Sequence, residues 1–324
     1  MLNRRQFTLG SAATFTLIAA PAIAKTWPTK PIRFVVPLAA GGGVDMMART
    51  LAQHLGTALG ERVIVENQGG GGGTIASAAV ARSDADGYTF IFQSVSSAVI
   101  NAIVYKNLSY DPVNDFVPVT LFTRFPLVAA TNSEIPAANL QEFIALLKSN
   151  PNHYSYGSSG VGTVTHIAGE LLKSLAGVQM VHVPYRGNSA VLTDLLANRV
   201  ALTFDGIAPL LPNIRSGRLR ALGVTTAERS KVLTEVPAMK EIIPGYELPF
   251  WTGLYAPAKT PRDIVEQIAA ETKKIVQIPE VVSRLGDLGV DAVGMPSGEF
   301  DMFWKQQLAY YGKIIKENGI SISN

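Results

Sequence analysis

A run of three glycines, Gly41-Gly42-Gly43, separates a short apolar segment from a stretch with helical spacing. The apolar segment spans residues 32–36 and predicts a buried strand, whereas apolar residues from Met46 to Leu59 recur at intervals of three and four. The sequence therefore predicts a strand, a tight turn and a helix. A helix begins with free N–H groups and the positive end of its dipole, so this turn could bind an anion. An ordinary strand-to-helix turn has the same pattern.

A second run of small residues spans residues 157–163, between a predicted strand at 154–156 and a helix that contains His166. Two such turns facing each other across a cleft would hold one carboxylate at each end of a small acid, or one carboxylate between them. This arrangement needs no arginine. Arg186, which follows a predicted strand at 180–185, could still assist, although a surface position is the commoner case.

Asp45 and the serines near the turns each allow two interpretations. Asp45 would cap a helix start, or it would hold an ammonium group of a ligand. Ser158 or Ser159 could use His166 as a base, which is the hypothesis of an exported serine hydrolase, but a histidine at a helix start more often bonds backbone or solvent. Hydroxyls at residues 94–97 follow a predicted strand, where open sheets bind ligands and where serines also cap helices.

Other chemistries are disfavoured. Residues 71–76 fit the dinucleotide pattern, but Gln93 stands near the position where a ribose-binding acid is needed, so we reject a nucleotide site. His54, His153 and His182 are far apart in sequence and lack acidic companions at ligand spacing, and the chain has no cysteine. We predict no catalytic residue, no metal and no cofactor.

The N-terminus predicts export. Two arginines, Arg4 and Arg5, precede an uncharged stretch at residues 7–20, and Ala22-Ile23-Ala24 ends it. We predict a signal peptide over residues 1–24, cleaved after Ala24, and a periplasmic protein. Arg4-Arg5-Gln6-Phe7 resembles a twin-arginine signal, with ordinary Sec export left open. Removing the two arginines lowers the net charge from +3 to +1, which argues against nucleic-acid binding.

Strands alternate with helices along the chain, which predicts parallel sheets with helices on both faces. The extended segment 116–130 could leave one domain and enter a second, and three helices follow residue 260. We predict an α/β fold of two parallel-sheet lobes joined by a hinge. Lobe 1 comprises residues 25–124 and 247–324, and lobe 2 comprises residues 125–246. The hinge is expected near residues 123–125 and between residues 225 and 251.

Ordered sequence blocks across the mature chain are very similar to the extracytoplasmic receptors of tripartite tricarboxylate transporters, the Bug-type solute-binding proteins. These blocks include Trp27-Pro28, Val35-Val36-Pro37, Gly41-Gly42-Gly43, Ala48-Arg49, Val65-Glu66-Asn67, Asp86-Gly87-Tyr88-Thr89, Tyr110-Asp111-Pro112, Tyr156-Gly157-Ser158-Ser159-Gly160, Val181-His182-Val183-Pro184-Tyr185-Arg186-Gly187, Phe204-Asp205 and Pro244-Gly245-Tyr246. The chain departs from the family at Leu38-Ala39-Ala40 of the first loop, at Val44 and at Gln68. These departures bear on the identity of the ligand more than on the fold.

The resemblance implies a type II-like periplasmic-binding-protein fold that closes on a small carboxylated solute. In that family backbone amides and ordered waters hold the carboxylate, and residues at two turns and at strand ends line the cleft. The positions of this chain that we expect at the site are Leu38, Ala39, Ala40, Gly41, Gly42, Gly43, Asp45, Ser94, Ser96, Ser97, Ser158, Ser159, Gly160, Gly162, Thr163, His166, Tyr185 and Asp205.

The first functional hypothesis is therefore a receptor for a mono-, di- or tricarboxylate, an aromatic acid or an amino acid. Its expected partners are the permease subunits of a tripartite tricarboxylate transporter or a sensor protein, and we expect a monomer. The alternatives are a serine or histidine-assisted hydrolase and an interaction protein for a signalling partner in the membrane. An enzyme would need a nucleophile and a base within hydrogen-bond reach, about 2.6–3.2 Å.

Overall fold

The computed structural model describes residues 27–320, and the predicted signal peptide lies outside the described residues. The strands are β1 (Ile32–Val36), β2 (Val63–Asn67), β3 (Thr89–Ser94), β4 (Phe116–Phe125), β5 (Leu127–Asn132), β6 (Ser155–Ser158), β7 (Val181–Pro184), β8 (Leu202–Gly206), β9 (Leu219–Val224), β10 (Phe250–Pro257) and β11 (Asp291–Met295). The helices are α1 (Gly43–Leu59), α2 (Thr74–Ala81), α3 (Asn101–Val104), α4 (Leu140–Ser149), α5 (Val164–Ala176), α6 (Asn188–Leu196), α7 (Ile207–Arg215), α8 (Arg262–Ile275), α9 (Pro279–Asp287) and α10 (Ser297–Glu317).

These elements form two lobes, each built on one sheet. The first sheet has the order β11-β4-β10-β3-β1-β2, and the second has the order β7-β6-β8-β5-β9. The predicted two-lobed α/β fold is confirmed. Within it, β1 pairs in parallel with β2 and β3, and β6 pairs in parallel with β7 and β8. Helices that follow these strands pack against the sheets, as alternating strands and helices require.

Both sheets are mixed rather than wholly parallel. β10 runs antiparallel to β3 and β4, and β5 runs antiparallel to β8 and β9. The reason lies in the path of the chain, because β5 and β10 are the strands by which the chain enters a sheet after crossing from the other lobe. They begin at the cleft, where the parallel strands end.

The extended segment 116–130 comprises two strands, β4 in the first sheet and β5 in the second, with Pro126 between them. Proline has no N–H to donate to a ladder, so it suits the point where one strand ends and the next begins. The chain returns between β9 and β10. At these crossings the Leu127 N–H donates to Thr225 Oγ1 at 3.1 Å, and the rings of Phe125 and Phe250 lie 4.7 Å apart. The limits of the lobes at 124/125 and 246/247 stay a prediction.

The first lobe is completed by the C-terminal helices. α8 and α10 pack on β4, and the fully buried Trp304 of α10 donates from its indole N–H to the Ala98 carbonyl at 2.8 Å. Ala98 belongs to a π-helical turn, Ser96–Ile100, that continues into α3. Sequence patterns indicated neither this turn nor β11. The packing fixes the end of β3, where Ser94 and Ser96 lie.

Candidate functional site

An internal cavity lies between the two lobes, beyond the C-terminal ends of β1, β3 and β8. It has a volume of about 40 Å³. Its lining comprises Leu38, Ala39, Gly42, Gly43, Val44, Asp45, Ser94, Ser96, Phe125, Leu127, Ser159, Val164, Thr165, Gly187, Asn188, Asp205, Gly206 and Phe250. This is the position at which open α/β sheets bind ligands.

Four helices begin at this cavity, one in the first lobe and three in the second. α1, α5, α6 and α7 start at Gly43, Val164, Asn188 and Ile207, and each of these residues or its preceding residue belongs to the lining. None of the four helices has a side-chain N-cap. Backbone N–H groups and the positive ends of four dipoles therefore surround a cavity whose lining contains no arginine or lysine. The cavity favours an anion held by backbone groups.

Asp45 anchors the first glycine turn. Its Oδ2 accepts the Gly41 N–H at 2.9 Å and the Arg49 Nε–H at 3.0 Å, and the residue is 4% exposed. Burial acts to raise the pKa of this carboxyl, but the hydrogen bonds from Arg49 and Gly41 prevail and lower it. Arg49 also donates to Asn67, whose amide donates to the Leu38 carbonyl at 3.2 Å. The network holds the loop that carries the cavity lining.

Asp205 is the second acid in the lining. It lies near the end of β8, is 6% exposed, and accepts the Gly206 N–H at Oδ1 at 2.8 Å. Burial raises the pKa of Asp205 to about 7, against the opposing effect of hydrogen bonds from Asn188 and from the Gly206 N–H. This carboxyl group therefore changes charge near neutral pH.

A pair of stacked histidines, of which His166 is buried and His182 partly buried, lies behind the second turn. The rings of His166 and His182 stack with centroids 4.0 Å apart, and Tyr156 stacks on His182 at 4.9 Å. His182 Nε2 and the fully buried Ser158 Oγ lie 2.6 Å apart, while His166 Nδ1 accepts the Gly162 N–H at 3.2 Å. Burial, together with the charge of His166, lowers the pKa of His182 to about 4.

This serine–histidine pair lacks the features of a hydrolase. The hydrolase hypothesis paired Ser158 or Ser159 with His166, whereas Ser158 bonds His182 and lines neither the central cavity nor the neighbouring one. Glu170, the nearby acid, bonds Tyr156 at 2.6 Å and Lys173 at 2.8 Å rather than a histidine ring. The pair supports the turn from behind.

The lobes contact each other around the cavity. The Val164 N–H donates to Ser96 Oγ at 3.0 Å, and the Tyr105 hydroxyl donates to the Val161 carbonyl at 3.1 Å. Gly72 approaches the same carbonyl so closely that an added Cβ would lie 2.9 Å from it. The cleft is therefore closed, and glycine at residue 72 is needed for the approach as well as for its φ of +63°.

Half of the predicted site residues lie in the cavity lining, namely Leu38, Ala39, Gly42, Gly43, Asp45, Ser94, Ser96, Ser159 and Asp205. Gly160 and Tyr185 line a neighbouring cavity instead. The remaining seven, which line neither, are Ala40, Gly41, Ser97, Ser158, Gly162, Thr163 and His166. Several of these support the turns: Thr163 Oγ1, for example, donates to the Gly160 carbonyl at 2.7 Å.

Sequence reasoning missed the other half of the lining. Phe125, Leu127 and Phe250 come from the hinge, and no local pattern points to them. Gly187 and Asn188 could have been predicted from the sequence, because this glycine lies between a strand and a helix, as the glycines of the two predicted turns do. Gly187 has a φ of +142°, and its added Cβ would lie 3.1 Å from Ala39 of the other lobe.

The neighbouring cavity is larger, about 290 Å³, and shares Leu38 and Ser159 with the central one. Four consecutive glycines, residues 70–73, form one wall, and Tyr105 and Arg186 contribute side chains. Arg186 is exposed, and it takes part in no ion pair within residues 27–320. The two cavities together offer a small polar inner chamber and a roomier outer one.

Within the described range, no cluster of histidine and acidic residues has the arrangement of a metal site. No helix between residues 27 and 320 is long and apolar enough to cross a membrane.

Two lobes closed over a cavity rich in backbone donors define a solute-binding protein. Residues 47–320 match the family model described as "Tripartite tricarboxylate transporter family receptor". The chain belongs to this family, the Bug-type receptors, whose members are periplasmic solute-binding proteins and not enzymes. Receptors of the family bind small carboxylates and work with membrane permease components.

Relatives of known sequence cover nearly the whole chain. A Pseudomonas sp. (strain P51) protein, "UPF0065 protein in tcbD-tcbE intergenic region", is 36% identical over 98% of this chain and 95% of its own length. "Protein BugT" of Bordetella pertussis is 31% identical over 94% of each chain.

Solved structures show the same fold. "R. palustris Rpa4515 with adipate" is 33% identical with a TM-score of 0.88, covering 91% of this chain and 99% of its own. The periplasmic binding protein BugD is 31% identical with a TM-score of 0.87, over 91% and 99% of the two chains. MatC from Rhodopseudomonas palustris with bound malate is 29% identical with a TM-score of 0.85, over 89% and 100%.

Proposed function

We propose that this chain is an extracytoplasmic receptor that captures a small carboxylate between its lobes and delivers it to the permease of a tripartite tricarboxylate-type transporter. Export would remove residues 1–24, with cleavage after Ala24. The observation that carries the proposal is the convergence of four helix N-termini, none capped by the side chain of its own N-cap residue, on a closed cavity without a cationic side chain. Such a cavity stabilises an anion through N–H groups and helix dipoles.

In this proposal the solute carboxylate occupies the inner cavity. Backbone N–H groups near Gly42, Gly43 and Gly187 are its donors, and the hydroxyls of Ser94 and Ser159 assist. The inner volume of about 40 Å³ is room for about three water-sized groups at roughly 10–15 Å³ each, which suits a carboxylate rather than a whole organic acid. The rest of the solute extends into the outer cavity.

The outer cavity favours solutes with a second polar end. Its volume is about 290 Å³, and the exposed guanidinium of Arg186 stands at its wall. A second carboxylate of the solute would meet this charge. The adipate and malate bound by the two R. palustris proteins are both dicarboxylates, which supports the same class of solute here.

A thermal-shift screen of the chain from Lys25 onward tests the proposal. The panel contains mono-, di- and tricarboxylates, aromatic acids and acidic amino acids, each beside its neutral amide. A ligand at 100 times its Kd adds about 2.7 kcal/mol to the free energy of unfolding. We expect an upward shift in Tm with one class of acid and none with its amide. Protein freed of co-purified ligand that responds to no acid would contradict the proposal.

A further inference from the structure

The cavity proposed for an acid is itself lined by two buried acids, of which Asp45 is paired with Arg49 and Asp205 has no cationic partner within the described residues. Asp205 is 6% exposed and faces a volume of about 40 Å³. A carboxylate fills a space of this size and must contact much of its lining. An anionic solute would therefore lie against the Asp205 carboxyl group, and two ionised carboxylates in contact repel strongly when they are shielded from water.

Among residues 27–320, no cation neutralises such a pair: β6, which also flanks β8, has no charged residue, and on α5 Lys173 bonds Glu170 while His166 accepts the Gly162 N–H. The strand β5 alongside it carries no charged residue, and the facing residue of α6 is Asn188. Asp194 of α6 is bonded to Tyr185 and Arg199, and the basic residue of α7, Arg215, lies in its last turn. Across the cleft, Asp45 and Arg49 bond each other. No ion pair among residues 27–320 joins Asp205 to a cation.

A protonated Asp205 removes this conflict. Its Oδ1 already accepts the Gly206 N–H, so the remaining oxygen is the one that can carry a proton. A neutral carboxyl group donates one hydrogen bond, and a carboxylate acceptor makes that bond a strong, charge-assisted one.

We propose that Asp205 is neutral in the complex and donates a hydrogen bond from its carboxyl O–H to the carboxylate of the solute. This inference rests on the proposed function and deepens it. The receptor with ionised Asp205, one proton from solvent and the solute anion combine into one complex, and no other group changes charge. Capture of the solute is therefore coupled to uptake of a proton.

The coupling falls in the physiological range of pH. Burial raises the pKa of Asp205 to about 7 in the closed cleft, so without a solute this carboxyl group is partly ionised at neutral pH and must bind a proton when the solute binds. The affinity is then nearly constant below about pH 6.5 and falls towards tenfold for each pH unit above about 7.5.

Isothermal titration calorimetry of the chain from Lys25 onward tests the coupling. Adipate and malate are the first probes, followed by the acid with the largest shift in the screen, and the pH runs from 6.5 to 9, above the pKa values of ordinary carboxyl groups. At pH 7.5 the titration is repeated in HEPES and in Tris, whose ionisation enthalpies differ. We expect uptake of about 0.5–1 proton per solute and an affinity about 50- to 100-fold weaker at pH 9 than at pH 6.5.

Two variants localise the proton. Asp205→Asn keeps a donor of the same shape without a titrating group, so it should bind the solute with no proton uptake and no dependence on pH. Asp301→Asn removes an exposed carboxylate of α10 that pairs with Lys305, and it should keep both the uptake and the slope.

The results of these titrations distinguish a failure of the proton coupling from a failure of the proposed receptor function. Binding without proton uptake in the unmodified chain, or an affinity that rises with pH, overturns the inference and leaves the receptor function intact. The absence of binding to every acid of the panel at every pH overturns both. The titrations of the unmodified chain decide the matter even where Asp205→Asn does not fold.

Discussion

The Ser96 hydroxyl in one lobe accepts a hydrogen bond from the Val164 N–H in the other, at 3.0 Å. Val164 is the first residue of α5, and both residues line the central cavity. This bond joins the first residue of the π-helical turn to the N-terminus of α5 across the cleft, so we expect it to form only when the lobes close. We expect closure of the cleft and assembly of the site to be one event, as in hinge motions around a ligand.

Replacement of Ser96 by alanine should weaken solute binding without unfolding the protein. The substitution removes a buried interlobe hydrogen bond, which typically contributes about 1 kcal/mol, so we expect Kd to rise about five- to tenfold. Calorimetry with adipate or the acid from the screen measures the change. Ser83→Ala, which removes a hydroxyl bond to the Val80 carbonyl within one lobe, is the matched control and should leave Kd unchanged. Equal effects of the two substitutions would contradict a role for Ser96 in closure.

Alanine substitutions at Gly72 and Gly60 distinguish the effect of backbone strain from the effect of blocking closure of the lobes. Both have a positive φ, +63° and +71°, so alanine at either position should cost about 1 kcal/mol of stability. A Cβ at residue 72 would press on the Val161 carbonyl of the other lobe, whereas nothing lies within 4 Å of one at residue 60. We expect Gly72→Ala to weaken binding tenfold or more and Gly60→Ala to leave it unchanged. Binding at full affinity by Gly72→Ala would show that the contact is dispensable.

Asp45 should act on the loop rather than on the solute. Its Oδ2 accepts hydrogen bonds from the Gly41 N–H and from Arg49. Asp45→Ala should therefore reduce the free energy of unfolding by about 1–3 kcal/mol and weaken the binding of all acids to the same extent. Because its pKa is lowered in the folded protein, this stabilisation is present above the ordinary pKa of aspartate and is lost as the pH falls below it. Thermal unfolding between pH 2.5 and 7 and titrations with malate and aspartate measure the two effects. A selective loss of aspartate binding would show instead that Asp45 holds an ammonium group.

Arg186 should distinguish acids with one carboxylate from acids with two. It is exposed at the wall of the outer cavity, where a charge pair contributes about 0.2–1 kcal/mol. Arg186→Gln should therefore weaken the binding of adipate about two- to fivefold and leave the affinity for hexanoate unchanged. Arg262→Gln, at an exposed residue of α8 that pairs with Glu266, is the control for loss of one positive charge. An equal change in affinity for both acids would show that Arg186 does not contact the second carboxylate of the solute.

Local helices and strands could be predicted from the sequence, whereas their arrangement around one cavity could not. Apolar periodicity identified α1 and α5, and the extended segment 116–130 indicated the passage between lobes. The order of strands is a long-range property, so no local pattern shows that α6 and α7 begin at the same cavity as α1 and α5. The resemblance pointed to Asp205 as a residue of the cleft. Its missing counter-charge emerges only from the packed structure.

The pairing of Ser158 with His182 could not be predicted either, because it too depends on contacts between residues far apart in the sequence. These residues lie 24 positions apart, on the neighbouring strands β6 and β7, and their register brings Ser158 opposite Pro184. His166 is closer in sequence to Ser158, but its ring accepts the Gly162 N–H instead. Nearness along the chain made His166 a candidate base for Ser158, but the favoured interpretation, a histidine that bonds backbone, agrees with the structure.

The distance between the lobes tests most directly the claim that a carboxylate is captured by closure. The chain has no cysteine, so spin labels can be placed at two introduced thiols, Gln53→Cys on α1 and Thr193→Cys on α6, both exposed. Electron–electron double resonance should show a shorter, narrower distance distribution with the acid selected by the screen, and no change with the corresponding amide. An unchanged distribution at saturating acid, or the same shortening with the amide, would contradict the account.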